Sequence, residues 1–81
     1  MVEVYAIESV SDATWYTGMA LSAKNRLVEH NQGKNRFTKG HLPWKLIYIE
    51  PCKDWATGRM REKYLKTTSG KKWLRTQILN L

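Results

Sequence analysis

The alternation of apolar and polar residues predicts three β-strands. Residues 2–9 alternate in part, which is typical of a half-buried strand. Residues 14–17 are all aromatic or β-branched, so we expect them to pair with the first strand as an antiparallel hairpin. Gly18 is predicted to end this second strand. Residues 44–50 are apolar on both faces, which predicts a strand in the centre of the sheet, ended by Pro51.

Three helices are predicted around these strands. Ser22 offers a capping hydroxyl to a helix over residues 23–31, which contain neither Gly nor Pro. Asp54 offers a capping carboxylate to a helix over residues 55–66. A last helix is predicted to begin at residues 69–70. The apolar line of the second helix is Ala56, Met60 and Tyr64, and that of the last is Leu74, Ile78 and Leu81.

The predicted element order is β-β-α-β-α-α, an α/β chain of the α+β type. We expect a small, mainly antiparallel three-stranded sheet with the third strand central and helices flanking it. Eighty-one residues are enough for one domain, so residues 1–81 are treated as a single unit. A core this small needs its large aromatic residues inside, which predicts buried positions for Trp15, Trp44, Trp55 and Trp73.

The net charge of +7 narrows the class of partner. Residues 30–49 contain no acidic residue, and residues 55–81 contain one acid, Glu62, among seven Lys and Arg. A one-sided excess of positive charge suits a polyanion such as nucleic acid, although a merely solubilising surface has the same composition.

Cysteine content and hydropathy exclude several classes. Cys52 is the only cysteine, so there is no internal disulfide and no cysteine-based zinc site, and Cys52 has no histidine near it in sequence to activate it as a nucleophile. No apolar run approaches the roughly 20 residues of a membrane span. We therefore expect a cytoplasmic protein that does not bind membranes.

Polar side chains gather on residues 15–30, which are predicted to form the second strand, a glycine turn and the first helix. Arg26 and His30 are four residues apart and share a helical face, which follows a strand carrying Tyr16. Two readings of Glu62 stay open: an ion-pair partner of Arg59 or Lys66, or a ligand of Mg²⁺.

The chain resembles the GIY-YIG endonuclease superfamily, in particular its small stand-alone single-domain members. Val4-Tyr5 occupies the place of the first motif and Tyr16-Thr17-Gly18 that of the second. The segments that resemble the rest of the family are NRLVEHN with Arg26, TKGHLPWKLIYIE, RMREKYLK with Glu62, and SGKKWL. The sequence departs from the family pattern at Glu3, where the first motif has glycine, at Thr17, and at His41, where arginine is common.

The resemblance implies hydrolysis of phosphodiester bonds in DNA with one divalent metal, Mg²⁺ or alternatively Mn²⁺, and branched or damaged DNA in repair or recombination as candidate substrates. It implies catalytic roles for Tyr5 as general base, Tyr16, Arg26 and His30, and a metal-binding role for Glu62. Nearby cations, Arg26 among them, are expected to favour the Tyr5 phenolate. The expected phosphate contacts are Lys34, Arg36, Lys39, His41, Lys71 and Lys72.

Two other functions remain open on the sequence. One is a non-catalytic nucleic-acid-binding module that keeps the fold and the basic surface. The other is a subunit whose basic face meets an acidic protein. A protein partner that targets a nuclease to its substrate is compatible with the first prediction, and the sequence does not specify an oligomeric state.

Overall fold

A computed structural model describes residues 1–79 of the chain and places three strands and three α-helices in the predicted order. The elements are β1 (Val2–Ser9), β2 (Trp15–Ala20), α1 (Ala23–Asn31), β3 (Trp44–Cys52), α2 (Trp55–Leu65) and α3 (Thr68–Leu79), with a 3₁₀ helix at Thr38–His41 between α1 and β3. The α+β prediction is confirmed. Leu81, which was predicted to extend the apolar face of the last helix, lies outside the described residues.

The sheet has the order β2-β1-β3, and β1 pairs antiparallel with both neighbours. The prediction that the third strand is central is therefore wrong. β3 is apolar on both faces because α1 covers one face of the sheet and α2 and α3 cover the other, and helices can cover both faces of an edge strand as well as of a central one. A strand that is apolar on both faces is therefore one that helices cover on both sides, whether it lies at the edge or in the centre of the sheet.

Two predicted strand ends are also wrong. Gly18 lies inside β2, opposite Tyr5 of β1. Pro51 lies inside β3, opposite Glu3. Proline is tolerated there because β3 is an edge strand, whose outward N–H groups have no partner strand to lose.

The helix caps agree with the sequence. The Ser22 hydroxyl accepts a hydrogen bond from the Asn25 N–H at 3.2 Å, and the Asp54 carboxylate accepts one from the Thr57 N–H at 2.8 Å. α1 ends at Asn31, and Gly33 follows in a left-handed conformation with φ of 78°. α3 begins at Thr68, slightly before the predicted start.

One side of the sheet packs on α2 and α3, and here the predicted apolar line of α2 is wrong. Met60 is 74% exposed, and the buried residues of α2 are Gly58 and Leu65. Gly58 faces the sheet, where a Cβ would lie 3.5 Å from Val2, an ordinary packing distance, so alanine would also fit this position. This orientation also leaves Trp55 51% exposed, against the prediction that it is in the core.

The other side of the sheet packs on α1. Its buried core comprises Tyr5, Ile7, Ala20, Ala23 and Trp44. The side chain of Asn31, the last residue of α1, donates a hydrogen bond to the Trp44 carbonyl (3.0 Å) and accepts one from the Trp44 N–H (2.7 Å). These two bonds close the loop between α1 and β3. Among the described residues, none of the helices is long and apolar enough to cross a membrane.

Candidate active site

The two tyrosines of the sequence motifs meet on the α1 side of the sheet. Tyr5 faces Gly18 across β1 and β2, and Tyr16 is the cross-strand partner of Ile7. A Cβ added at Gly18 would lie 2.7 Å from the Tyr5 hydroxyl oxygen and 3.2 Å from Cε2 of Tyr16. The missing side chain of Gly18 therefore makes room for the Tyr5 phenol beside Tyr16.

Helix α1 brings its polar face to the same place. Its first turn is held by Glu3, whose carboxylate accepts a hydrogen bond from the Ala23 N–H at 2.7 Å. A carboxylate is favourable at a helix N-terminus, so Glu3 has a structural use where the family motif has glycine. One face of this anchored helix carries Arg26 and His30.

His30 is the centre of a buried hydrogen-bonded network. It is 1% exposed, and its Nε2 and the Tyr5 hydroxyl form a hydrogen bond of 2.9 Å. Its Nδ1 and the Thr38 hydroxyl form another of 2.8 Å. The Tyr16 ring packs edge-on against the imidazole with ring centroids 5.1 Å apart. Both ring nitrogens of His30 are thus engaged within the protein, which places the imidazole behind Tyr5 and not on the surface.

The surroundings of His30 keep its ring neutral near pH 7. Burial lowers the pKa of His30, the positive charge of Arg26 lowers it further, and Glu29 opposes the shift. A neutral imidazole has one nitrogen that accepts a hydrogen bond, so His30 is able to take a proton from its partner.

The expectation that nearby cations favour the Tyr5 phenolate is wrong. Burial raises the pKa of the Tyr5 hydroxyl well above its usual value, and Tyr16, Glu62 and Glu29 add to the rise while Arg26 opposes it. Desolvation dominates because Tyr5 is 1% exposed and a phenolate there would lose its hydration. Tyr5 is a neutral phenol in this structure.

Glu62 lies in α2 with its side chain 15% exposed, and its charge reaches the Tyr5 hydroxyl strongly enough to raise the pKa of that group. The Lys66 ammonium lies 3.3 Å from the Glu62 carboxylate. The ion-pair alternative considered for Glu62 is therefore present, with Lys66 as the partner. This ion pair does not exclude the other alternative, in which the Glu62 carboxylate binds a metal ion.

The Glu62 carboxylate suits a hard divalent cation such as Mg²⁺ or Mn²⁺ better than a softer metal that prefers His or Cys ligands. Among residues 1–79, no three His, Cys, Asp or Glu side chains form a cluster that could enclose a metal ion. Mg²⁺ is commonly held by one or two carboxylates, with water and substrate phosphate completing the shell. One mostly buried carboxylate beside a basic surface fits that mode of binding.

Three cavities open around these side chains. A cavity of about 340 Å³ lies between Arg26 and Trp55, and one of about 100 Å³ lies between Arg26, His30 and Lys34. The third, of about 360 Å³, is lined by Trp15, Tyr16, Thr17, Phe37, Lys66 and Lys71. Arg26 and Tyr16 therefore face accessible space, His30 reaches the smallest cavity although it is 1% exposed, and Tyr5 lines none of the three.

The predicted phosphate contacts separate into three groups. Lys34 and Lys71 line cavities beside Arg26 and Tyr16. His41 has its Nδ1 2.6 Å from the Asp12 carboxylate, an interaction that ties the 3₁₀ helix to the β1–β2 turn. The remaining three, all exposed, are Arg36, Lys39 and Lys72.

Sequence reasoning missed three residues of this site. Thr38 is fully buried although it lies in the polar, basic loop of residues 31–41, and the sequence signal was its place in the TKGHLPW segment. Phe37 stacks on Tyr16 with centroids 5.9 Å apart, and it stands alone as an apolar residue in a basic loop. Lys66 was named only as an ion-pair partner and also lines the cavity that contains Tyr16.

The GIY-YIG catalytic domain model matches residues 1–76, and the chain belongs to this family. The GIY-YIG domain implies a nuclease that acts on nucleic acid. The chain is 38% identical over 68 residues to a UPF0213 protein of Syntrophus aciditrophicus (strain SB), a match that covers 82% of this chain and 77% of that protein. It is 33% identical over 70 residues to a UPF0213 protein of Staphylococcus saprophyticus, with 85% of each chain covered.

A UPF0213 protein of Desulfotalea psychrophila is 34% identical over 68 residues, which are 82% of this chain and 61% of that protein. The chain thus spans less than two thirds of this relative. No solved structure matches the chain significantly.

Proposed function

We propose that this protein is a divalent-metal-dependent endonuclease that hydrolyses phosphodiester bonds in DNA, with residues 1–81 as one nuclease domain. The observation that supports this most is the hydrogen bond between the Tyr5 hydroxyl and His30, with the Tyr16 ring packed against His30. The charges of Arg26 and Glu62 both act on this hydroxyl. The chain that carries this arrangement belongs to the GIY-YIG family. Branched or damaged DNA remains the candidate substrate.

Glu62 would hold the metal, Mg²⁺ or alternatively Mn²⁺, which when bound neutralises negative charge developing on the phosphate and the leaving oxygen. Arg26, whose side chain is 46% exposed, would donate its planar fork of N–H groups to the phosphate oxygens. Tyr16 would orient the phosphate or the attacking water through its hydroxyl.

Tyr5 would act as a base together with His30, because a buried neutral phenol is a poor base alone. As Tyr5 Oη takes a proton from the attacking water, the phenol passes its own proton to Nε2 of His30. This transfer uses the tautomer in which His30 Nδ1–H donates to the Thr38 hydroxyl. His30 therefore belongs to proton transfer in this scheme and not to phosphate contact.

A supercoiled-plasmid nicking assay with Mg²⁺ or with chelator tests the proposal. We expect nicking by the wild type only with metal, and its loss in Glu62→Gln and Tyr5→Phe. Tyr64→Phe is the matched control for Tyr5→Phe, because Tyr64 is a half-exposed phenol of α2, which packs on the side of the sheet opposite α1. Nicking that persists in Glu62→Gln would contradict the proposal. DNA binding in chelator with no cleavage of plasmid, branched or nicked DNA would favour the non-catalytic binding module.

A further inference from the structure

Lys66 connects the Glu62 carboxylate with the cavity that contains Tyr16. Its ammonium is 3.3 Å from the Glu62 carboxylate, and its side chain is 54% exposed while that of Glu62 is 15% exposed. The same lysine lines the cavity of about 360 Å³ together with Lys71, Tyr16 and Phe37. One flexible cation therefore reaches both the Glu62 carboxylate and the cavity that contains Tyr16.

The ion pair occupies the carboxylate that a metal would need. A divalent cation and an ammonium compete for the same oxygens, because a carboxylate neutralised by Lys66 attracts a second cation less strongly. Lys66 is the C-cap residue of α2, four residues after Glu62. Its side chain is therefore able to move without unwinding the helix.

We propose that Lys66 is a positioning residue that couples metal binding to substrate binding, an inference that rests on the proposed nuclease function. Without substrate, Lys66 neutralises Glu62 and weakens metal binding. When a nucleic-acid phosphate enters the Tyr16 cavity, Lys66 turns to that phosphate and releases the Glu62 carboxylate for the metal. Because binding linkage is reciprocal, metal bound at Glu62 strengthens substrate binding by the same factor.

Metal affinity in the absence of DNA gives the first test. Mn²⁺ binding is followed by the electron paramagnetic resonance signal of the free ion for wild type, Lys66→Met, Lys71→Met and Lys63→Met. Lys71 lines the same cavity without contacting Glu62, and Lys63 is an exposed lysine next to Glu62 in sequence, so both controls report the general effect of removing one charge. We expect Lys66→Met to bind Mn²⁺ tighter than either control, by about two- to fivefold, the range for an exposed ion pair.

The coupling gives the second test. DNA affinity is measured by fluorescence anisotropy with and without Mn²⁺ in the Tyr5→Phe background, which is expected to suppress cleavage. We expect Mn²⁺ to tighten DNA binding in that background and in Lys71→Met, and to tighten it less in Lys66→Met. Both lysine variants should lower the salt slope of DNA binding by about 0.9, as the loss of one phosphate contact does.

Each other result has a definite meaning. If Lys66→Met binds Mn²⁺ no tighter than Lys63→Met and Lys71→Met, the inference on Lys66 is wrong, while metal-dependent nicking that requires Glu62 would leave the nuclease proposal intact. If Glu62→Gln binds Mn²⁺ as the wild type does, the metal is not at Glu62, and both proposals are overturned. Circular dichroism of each variant confirms that a change in affinity is not a loss of fold.

Discussion

The phenol of Tyr5 lies directly over Gly18 of the neighbouring strand, where a Cβ would come within 2.7 Å of the hydroxyl oxygen. Gly18 is thus a space requirement of the site and not a turn. The contact also sets the position of the Tyr5 hydroxyl relative to His30, to which it is hydrogen-bonded at 2.9 Å.

Substitution of Gly18 by Ala should displace Tyr5. The added methyl group overpacks a rigid part of the sheet, and we expect a loss of about 1–3 kcal/mol in the free energy of unfolding. The nicking rate should fall by more than the loss of folded protein accounts for, because the displaced Tyr5 no longer forms its hydrogen bond with His30. Gly40→Ala is the matched control, since a Cβ at Gly40 meets nothing within 4 Å. Equal nicking rates for the two variants, measured well below their melting temperatures, would contradict this role of Gly18.

Stability should depend on pH through His30. Its pKa is lowered from 6.5 in the folded protein, so below pH 6.5 the unfolded chain binds a proton that the folded chain does not. The free energy of unfolding should therefore fall as the pH drops from 7.5 to 5.5, as measured by urea unfolding. The fall should shrink in His30→Gln and persist in His41→Gln.

The raised pKa of Tyr5 predicts that the free energy of unfolding also depends on pH in the alkaline range. Its pKa is raised from 10.0, so above pH 10 the unfolded chain loses the phenol proton while the folded chain keeps it. The free energy of unfolding should fall as the pH rises beyond 10. Tyr5→Phe should lessen this alkaline loss, whereas Tyr64→Phe should retain it. An identical pH dependence for the two variants would show that Tyr5 is not the group responsible.

Arg26 should matter for cleavage and little for stability. Its side chain is half exposed and pairs with Glu29 at 3.2 Å, so Arg26→Gln should change the free energy of unfolding by less than about 0.5 kcal/mol. Removal of one charged donor to a reacting phosphate should slow nicking by about 100-fold. Lys24→Gln, an exposed charge on the same helix, should cleave like the wild type. A slowing of less than about threefold in Arg26→Gln would remove Arg26 from the site.

The basic loop should contribute to DNA binding unequally. Arg36 is exposed, and Arg36→Gln should lower the salt slope of DNA affinity in chelator by about 0.9 if the residue contacts a phosphate. His41 is held by Asp12, so His41→Gln should leave the slope unchanged. A lowered slope for His41→Gln would show that the ring leaves Asp12 for the DNA.

Asn31 should be a structural residue of the loop that carries Thr38. Asn31→Ala leaves the N–H and carbonyl of the buried Trp44 without their partners, and this should cost about 1–3 kcal/mol. Thermal unfolding should detect it, since each kcal/mol shifts the midpoint by about 4–8 °C in a domain of this size. The control is Asn25→Ala on the exposed surface of α1. A midpoint within 2 °C of the control, taken as roughly the error of the method, would contradict the assignment.

The sequence by itself determined the element order, the β1 strand and the caps of α1 and α2, because these depend on alternation and on side chains that bond to backbone a few residues away. Its motifs also named Tyr5, Tyr16, Arg26, His30 and Glu62 as one set. Only the tertiary structure decided that β1 is central, since an edge strand covered by helices on both faces has the same pattern as a central one.

The tertiary structure also decided the protonation of the site. Arg26 and the basic loop predict a phenolate at Tyr5, but the pKa of a buried group depends on how much water it loses, which no spacing of residues reveals. The roles of Thr38 and Gly18 also depend on the tertiary structure. Thr38 is hydrogen-bonded to His30, and Gly18 leaves space for Tyr5, because the fold brings distant segments together. In the sequence these two residues indicate only a loop and a strand end.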